Sequence, residues 1–311
     1  MFTLFLTGIE SAPPGALPRL PALERLLARA RLRTLEESPW AYLATLAGGT
    51  ARDWPVGPVS ALGDAMDAPR ACLRVEPLGA DAAQAGAFRL PAGQLEIRRG
   101  EAEALAAAFI EQFGADGWRL EVAVPERWYL VAHGDTAVAA GWQGFEVPAQ
   151  ALEDDVRPAP PEPGLRRLLS EIELLFHEHP VNAARRERGA PLIAGLHAWG
   201  GGVLERPGSA PGAPAAAGEE PFLAGLRRLG VVQGAADRLD PYGIAWPAAI
   251  ETFDLASLAD IERRWAAPLL AALLRGRLDG VRIVTGRRAH ETRRAAALRF
   301  WRRPRPVAEL C

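Results

Sequence analysis

The residues best suited to chemistry stand within thirteen positions: Phe176-His177-Glu178-His179-Pro180-Val181-Asn182, two spacers, then Arg185-Arg186-Glu187-Arg188. Two of the chain's five histidines, an amide and three guanidiniums collect where a helix must break. The break is set by Pro180, because a residue preceding proline avoids helical backbone. Trp199-Gly200-Gly201-Gly202 follows shortly. Such donors can grip an anion: arginine presents a planar fork to phosphate or carboxylate, and amides of a glycine turn can form a nest. His179, Asn182, Arg185, Trp199, Gly200 and Gly202 are therefore the candidate ligand-binding residues. Each has a structural alternative. His179 can cap the broken helix end and Asn182 can hold the turn after Pro180. The arginines can form a solvated face, Trp199 can be core, and the glycines can be a simple turn.

Metal chemistry finds less support. His177 and His179 are two apart, which puts them on different faces of a helix, and His133, His197 and His290 have no ligand spacing to each other. No metal site and no cofactor are expected. No serine lies in a nucleophile elbow, and neither Cys72 nor Cys311 sits in a recognisable motif.

The chain of 311 residues is 49% hydrophobic, enough for one large core or two smaller ones. A net charge of −2 gives no global reason to expect nucleic acid or membrane surfaces. All 36 basic residues are arginines, which excludes a P-loop, Schiff-base or general-base lysine. Eight arginines fall between Arg287 and Arg305, interleaved with Phe300 and Trp301, with Glu291 the only acidic residue among them. That stretch is a weak nucleic-acid candidate beside the simpler reading of a solvated last helix and tail. No signal peptide or membrane span is read, and two cysteines make no disulfide framework, so a reducing cytoplasm is expected.

The elements that must position these groups follow from periodicity. Residues 2–7 and 280–286 read as buried strands ending at Gly8 and Gly286, and residues 21–30 as a helix. Residues 72–76, 94–98, 118–122 and 127–131 read as strands around a helix over 101–113. A proline-rich linker over 154–164 precedes an amphipathic helix over 165–176, and a strand over 192–199 enters the glycine turn. A helical pattern covers 259–274, with a kink or restart at Pro268. The expected fold is an α/β core formed by residues 1–70 and 151–311, with a smaller α+β insertion at 71–150 and a flexible loop at 205–220.

One resemblance is specific. His179-Pro180-Val181-Asn182-x-x-Arg185, then Gly189 and Trp199-Gly200-x-Gly202, resembles the signature of archaeal-type cofactor-independent phosphoglycerate mutases, and more closely that of RpfE-type bacterial regulatory proteins related to them. Leu20 to Leu27, Arg127 to Leu130 and Arg299 to Pro304 match further blocks in family order. The resemblance implies an alkaline-phosphatase-like α/β core with an inserted smaller domain. Catalytic members of that family bind metal with an aspartate-glycine after the first strand. They open a helix with a Ser or Thr nucleophile and carry more ligands after a late strand. This chain has Thr7-Gly8, Leu20 and Thr285-Gly286 at those places, and Ala194 and His197 where an asparagine and a tryptophan are expected. The resemblance thus implies a non-catalytic regulatory or binding protein with a small phosphorylated or carboxylated ligand or a protein partner. The alternative is a mutase or phosphatase with an altered site.

Overall fold

The computed structural model describes residues 1–9, 17–50, 53–67, 71–80, 95–132, 163–205, 213–234, 243–247, 255–298, 302 and 304–307. In chain order the elements are β1 (Phe2–Phe5), α1 (Pro21–Leu27), β2 (Arg31–Thr34), α2 (Pro39–Leu46), α3 (Val56–Gly63) and β3 (Cys72–Ala80). Then come α4 (Arg99–Phe113), β4 (Trp118–Val124), β5 (Arg127–Ala132), α5 (Pro163–Glu178), α6 (Pro180–Glu187) and β6 (Leu192–Trp199). The last group is β7 (Ala215–Gly218), α7 (Pro221–Arg228), β8 (Gln233–Gly234), β9 (Ile244–Trp246), α8 (Leu255–Asp260), a π-helical turn (Ile261–Ala266), α9 (Ala267–Leu274), β10 (Gly280–Thr285), β11 (Arg288–Arg293) and α10 (Arg294–Ala297).

Two units divide the chain: Met1–Gly49 with Pro207–Cys311, and Thr50–Arg206. The first holds a seven-stranded sheet in the order β2-β11-β10-β1-β9-β7-β8. Its centre is parallel, with Phe2 opposite Val281 and Thr3 opposite Ile244. All four residues of β1 are buried, as a parallel strand covered on both faces requires. Helices α1 and α9 and the π-helical turn supply the apolar cover, with Leu23, Leu26, Leu269 and Leu273 packed with Phe2, Leu4 and Val281. Residues 2–7 and 280–286, both read from the sequence as buried strands of the α/β core, thus contribute to one sheet, and the fold is α/β.

The second unit is an antiparallel sheet in the order β4-β5-β3-β6. One face carries Leu73, Val75, Trp128, Leu130 and Leu196, packed with α4 and α5 through Leu105, Phe109, Leu168, Ile172 and Phe176. This unit is larger than the 71–150 insertion read from the sequence. Strand β6 pairs with β3 over Arg74 to Ala80, so helices α5 and α6 belong here. A signal confined to local patterning cannot reveal which sheet a distant strand joins.

Two further expectations change. Residues 95–98 are not a strand: Leu95 and Ile97 are buried, Glu96 has φ of 47°, and Arg98 is the N-cap of α4. The 205–220 segment is not simply a loop, since β7 pairs in parallel with β9 and Glu220 caps α7; residues 206–212 lie outside the described residues. Gly218 is required there: its φ is 125°, and a Cβ would stand 1.8 Å from the Trp246 carbonyl oxygen. The 154–164 linker, His133, Phe300 and Trp301 also lie, wholly or largely, outside the described residues.

Candidate functional site

The sequence places its candidate anion site at the α5–α6 break, and the structure uses those residues inward. His179 is the N-cap of α6, and its Nδ1 accepts from the Val181 N–H at 3.2 Å. Burial lowers the His179 pKa, which favours the neutral ring that such an acceptor requires. Asn182 is 1% exposed. Its amide donates to the Phe176 and Ile193 carbonyls at 2.7 and 2.8 Å and accepts from the Ile193 N–H at 2.9 Å. That side chain joins the end of α5 to the start of β6.

Arg185 has no exposed surface. Its Nε donates to the Pro191 carbonyl at 2.7 Å, Nη1 to Glu101 Oε2 at 2.7 Å, and Nη2 to the Leu95 carbonyl. Arg188 reaches the other Glu101 oxygen at 2.5 Å. Burial pulls the Arg185 pKa down, and Glu101 offsets part of that. The fork thus donates to two carbonyls and a carboxylate of its own chain, as a strut between α6, α4 and the segment before α4. A bound anion would have to displace Glu101, whose charge already meets the requirement of a buried guanidinium.

Trp199 and Gly200 also serve packing, and Gly202 is buried with φ of 148°. Trp199 is buried under the Arg74 guanidinium, 5.0 Å from the ring centroid. Gly200 has φ of 65°, and its carbonyl accepts from the Gly57 N–H at 2.6 Å. A Cβ at Gly200 would meet Val56 Cβ at 2.8 Å. The glycine turn therefore lets the first turn of α3 lie against the chain leaving β6. The cleft of about 350 Å³ beside His179 is lined by Gln112, Glu171, Leu174, Leu175, Glu178 and Pro180. Its acidic and apolar lining suits an anion poorly.

A second position suited to a ligand is the edge of the seven-stranded sheet where its parallel strands end, since open α/β sheets bind ligands at their carboxyl ends. Thr7 follows β1 and is 2% exposed; its Oγ1 accepts from Trp246 Nε1 at the end of β9, 3.2 Å away. Trp246 stacks on Phe5 at 4.5 Å and lies 5.3 Å from Trp40. Thr285 ends β10 and meets His290 Nε2 of β11 at 3.3 Å. Burial, then Arg288, lowers the His290 pKa to about 4, so the ring is neutral at pH 7.

Two helix starts near these strand ends carry the chain's own carboxylates. Glu220 caps α7, accepting from the Phe222 and Leu223 N–H groups and from Trp40 Nε1 at 3.3 Å. At α1, Glu262 accepts from the Ala22 and Leu23 N–H groups at 2.6 and 3.1 Å. Glu24 accepts from the Leu20 N–H at 3.2 Å and pairs with Arg19. Leu20 itself is buried in the core. A helix start is a natural anion site because its first amides are unbonded, and here those amides are engaged.

This donor set does not fit a two-metal centre, which needs a convergent cluster of carboxylates and imidazoles. Among the described residues no group of three or more His, Cys, Asp or Glu side chains could hold a metal ion. Trp40, Trp246, Glu220 and Glu262 near these strand ends were not marked by the sequence. Only Glu220 had a local signal, as an acidic residue directly before a proline and an apolar run.

No known family model matches the chain, and neither does any curated protein. Among solved structures, it is similar to the cofactor-independent phosphoglycerate mutase from Thermoplasma acidophilum, at 19% identity and a TM-score of 0.37, over 94% of this chain and 88% of that one. It is also similar to the PH0037 protein from Pyrococcus horikoshii, at 14% identity and a TM-score of 0.40, over 94% and 87%. These likenesses concern fold alone. Among the described residues no helix is long and apolar enough to cross a membrane.

Proposed function

We propose that this chain is a non-catalytic binding or regulatory protein carried on a phosphoglycerate-mutase-like scaffold. The observation that carries the reading is the Glu262 carboxylate held by the Ala22 and Leu23 amides. In the resembled family a nucleophile opens this helix, and a phosphoryl group arriving here would compete with a carboxylate already bonded twice. Thr7, Thr285 and Leu20 support the same reading. Threonine is a poor substitute for a carboxylate ligand, and leucine has no atom that can attack phosphorus. An arginine can stabilise the developing charge but supplies no nucleophile.

The test is a phosphoglycerate mutase and phosphatase assay on the pure protein with added Mn²⁺, with and without chelator. Turnover at the level of buffer alone is expected in both. Metal-dependent interconversion of 3- and 2-phosphoglycerate, lost on chelation, overturns the proposal in favour of an enzyme with an altered site.

A further inference from the structure

We infer that Arg25 and Arg29 form a receptor for a phosphate group at the amino-terminal end of the parallel sheet. The location is fixed by Thr292, whose hydroxyl donates to the Leu26 carbonyl at 2.7 Å. Thr292 lies opposite Val281 near the start of β10. The end of α1 thus sits at the opposite end of the sheet from Thr7 and Thr285. The site is separate from the one discussed above and stands whether or not that edge is catalytic.

Arg29 is 4% exposed, and among the described residues its guanidinium makes one hydrogen bond, from Nη1 to the Ala297 carbonyl at 2.5 Å. Its Nε is buried without a partner, and so is the Nε of Arg25, four residues earlier and half-buried. Neither guanidinium pairs with a carboxylate among the described residues. The nearest acid in sequence, Glu24, is held by Arg19 and the Leu20 amide at the other end of α1. The carbonyls at the end of α1 do not supply the missing acceptors. Those of Glu24, Leu26 and Leu27 accept from the Ala28, Arg29 and Ala30 N–H groups. Burial, then the charge of Arg25, lowers the Arg29 pKa, and no acidic group among the described residues offsets them.

Arginine does not shed its proton, so the buried Arg29, beside the half-buried Arg25, is relieved best by an anion. Two guanidiniums four residues apart, each feeling the other's charge, match a dianion: a phosphate oxyanion offers several oxygens and about two negative charges above its second pKa of about 6. A carboxylate would leave one of the two charges unmet. Arg25, the more exposed of the pair, provides the entrance, and Arg29 the buried contact.

The experiment is thermal unfolding of the full chain in chloride, in inorganic phosphate and in glycerol phosphate, at matched ionic strength and neutral pH. A saturable rise in Tm of several degrees in at least one phosphate arm is expected. Equal rises identify the bare phosphate group as the ligand, and a rise with the ester alone identifies an organic phosphate. Arg25→Gln should weaken the apparent affinity at least tenfold, and Arg29→Met should abolish the rise while melting in chloride no lower than Arg25→Gln. If either variant fails to fold, the other carries the comparison. No saturable rise in either arm, or a rise of the same size in the folded variants, overturns the proposal.

Discussion

At the residue scale, Arg185 and His290 show two ways a buried ionisable group is held. Arg185 is satisfied by partners, so Arg185→Met should cost about 3 kcal/mol, because Glu101 and two carbonyls lose a charged donor. Chemical denaturation measures it, and a loss below about 1 kcal/mol would mean the network adds little. His290 is held neutral instead. Its folded pKa of about 4 lies below the ordinary value of about 6.5, so the unfolded chain binds the extra proton between those values. The stability this represents is fully present above about pH 6.5 and is lost as pH falls towards 4, by about 3 kcal/mol in all. His290→Gln should flatten that slope in a denaturation series, while an unchanged slope would assign it to other groups. His179, lowered in the same direction by burial, adds to the slope with the same sign. The sequence marked Arg185 and Asn182 as special but did not disclose what they bond. Their partners, Glu101, Leu95, Pro191 and Ile193, come from segments whose approach no local spacing encodes.

At the element scale, side-chain caps hold several helix starts. His179 and Glu220 cap the helices that follow them directly, and Glu262 caps α1 from about 240 residues away. Losing a cap costs about 0.5–2 kcal/mol. Glu262→Ala should therefore destabilise the protein by about 1 kcal/mol and raise amide exchange at Ala22 and Leu23 above that of the rest of α1. Unchanged exchange there would show that the cap is dispensable. Strands β1, β6 and β10 and helix α4 were legible from burial runs and alternation, because each is continuous and apolar on at least one face. Strand β2 was not legible. All four of its residues are exposed and two are arginines, so it exists through pairing with β11 and not through its own pattern. Helix α6 escaped for a related reason, since its buried positions are Asn182 and Arg185, which hydrophobic periodicity does not register.

At the scale of the whole molecule, each unit has its own core: Phe2, Leu4, Leu23, Leu269 and Val281 in one, and Leu73, Phe109, Trp128 and Phe176 in the other. A unit with its own core can fold alone. Residues 50–206 expressed by themselves should thus give a cooperative unfolding transition and the near-ultraviolet signal of ordered Trp128 and Tyr129. A non-cooperative melt with no such signal would mean that this sheet depends on the rest of the chain. The sequence conveyed that a second body interrupts the first but not its limits, because β6 reads the same whichever sheet it joins.

The pairing of Thr3 with Ile244 and of Phe2 with Val281 has a consequence for synthesis. The first strand leaves the ribosome about 240 residues before either neighbour exists. At roughly 5–20 residues per second, that is a wait of roughly ten to fifty seconds. During it, Phe2-Thr3-Leu4-Phe5 is an unpaired apolar strand tethered to an intervening body that can already be complete. The nascent chain must therefore shelter β1, and ribosome-bound chains stalled before residue 244 should be the species that chaperones hold and that aggregates first.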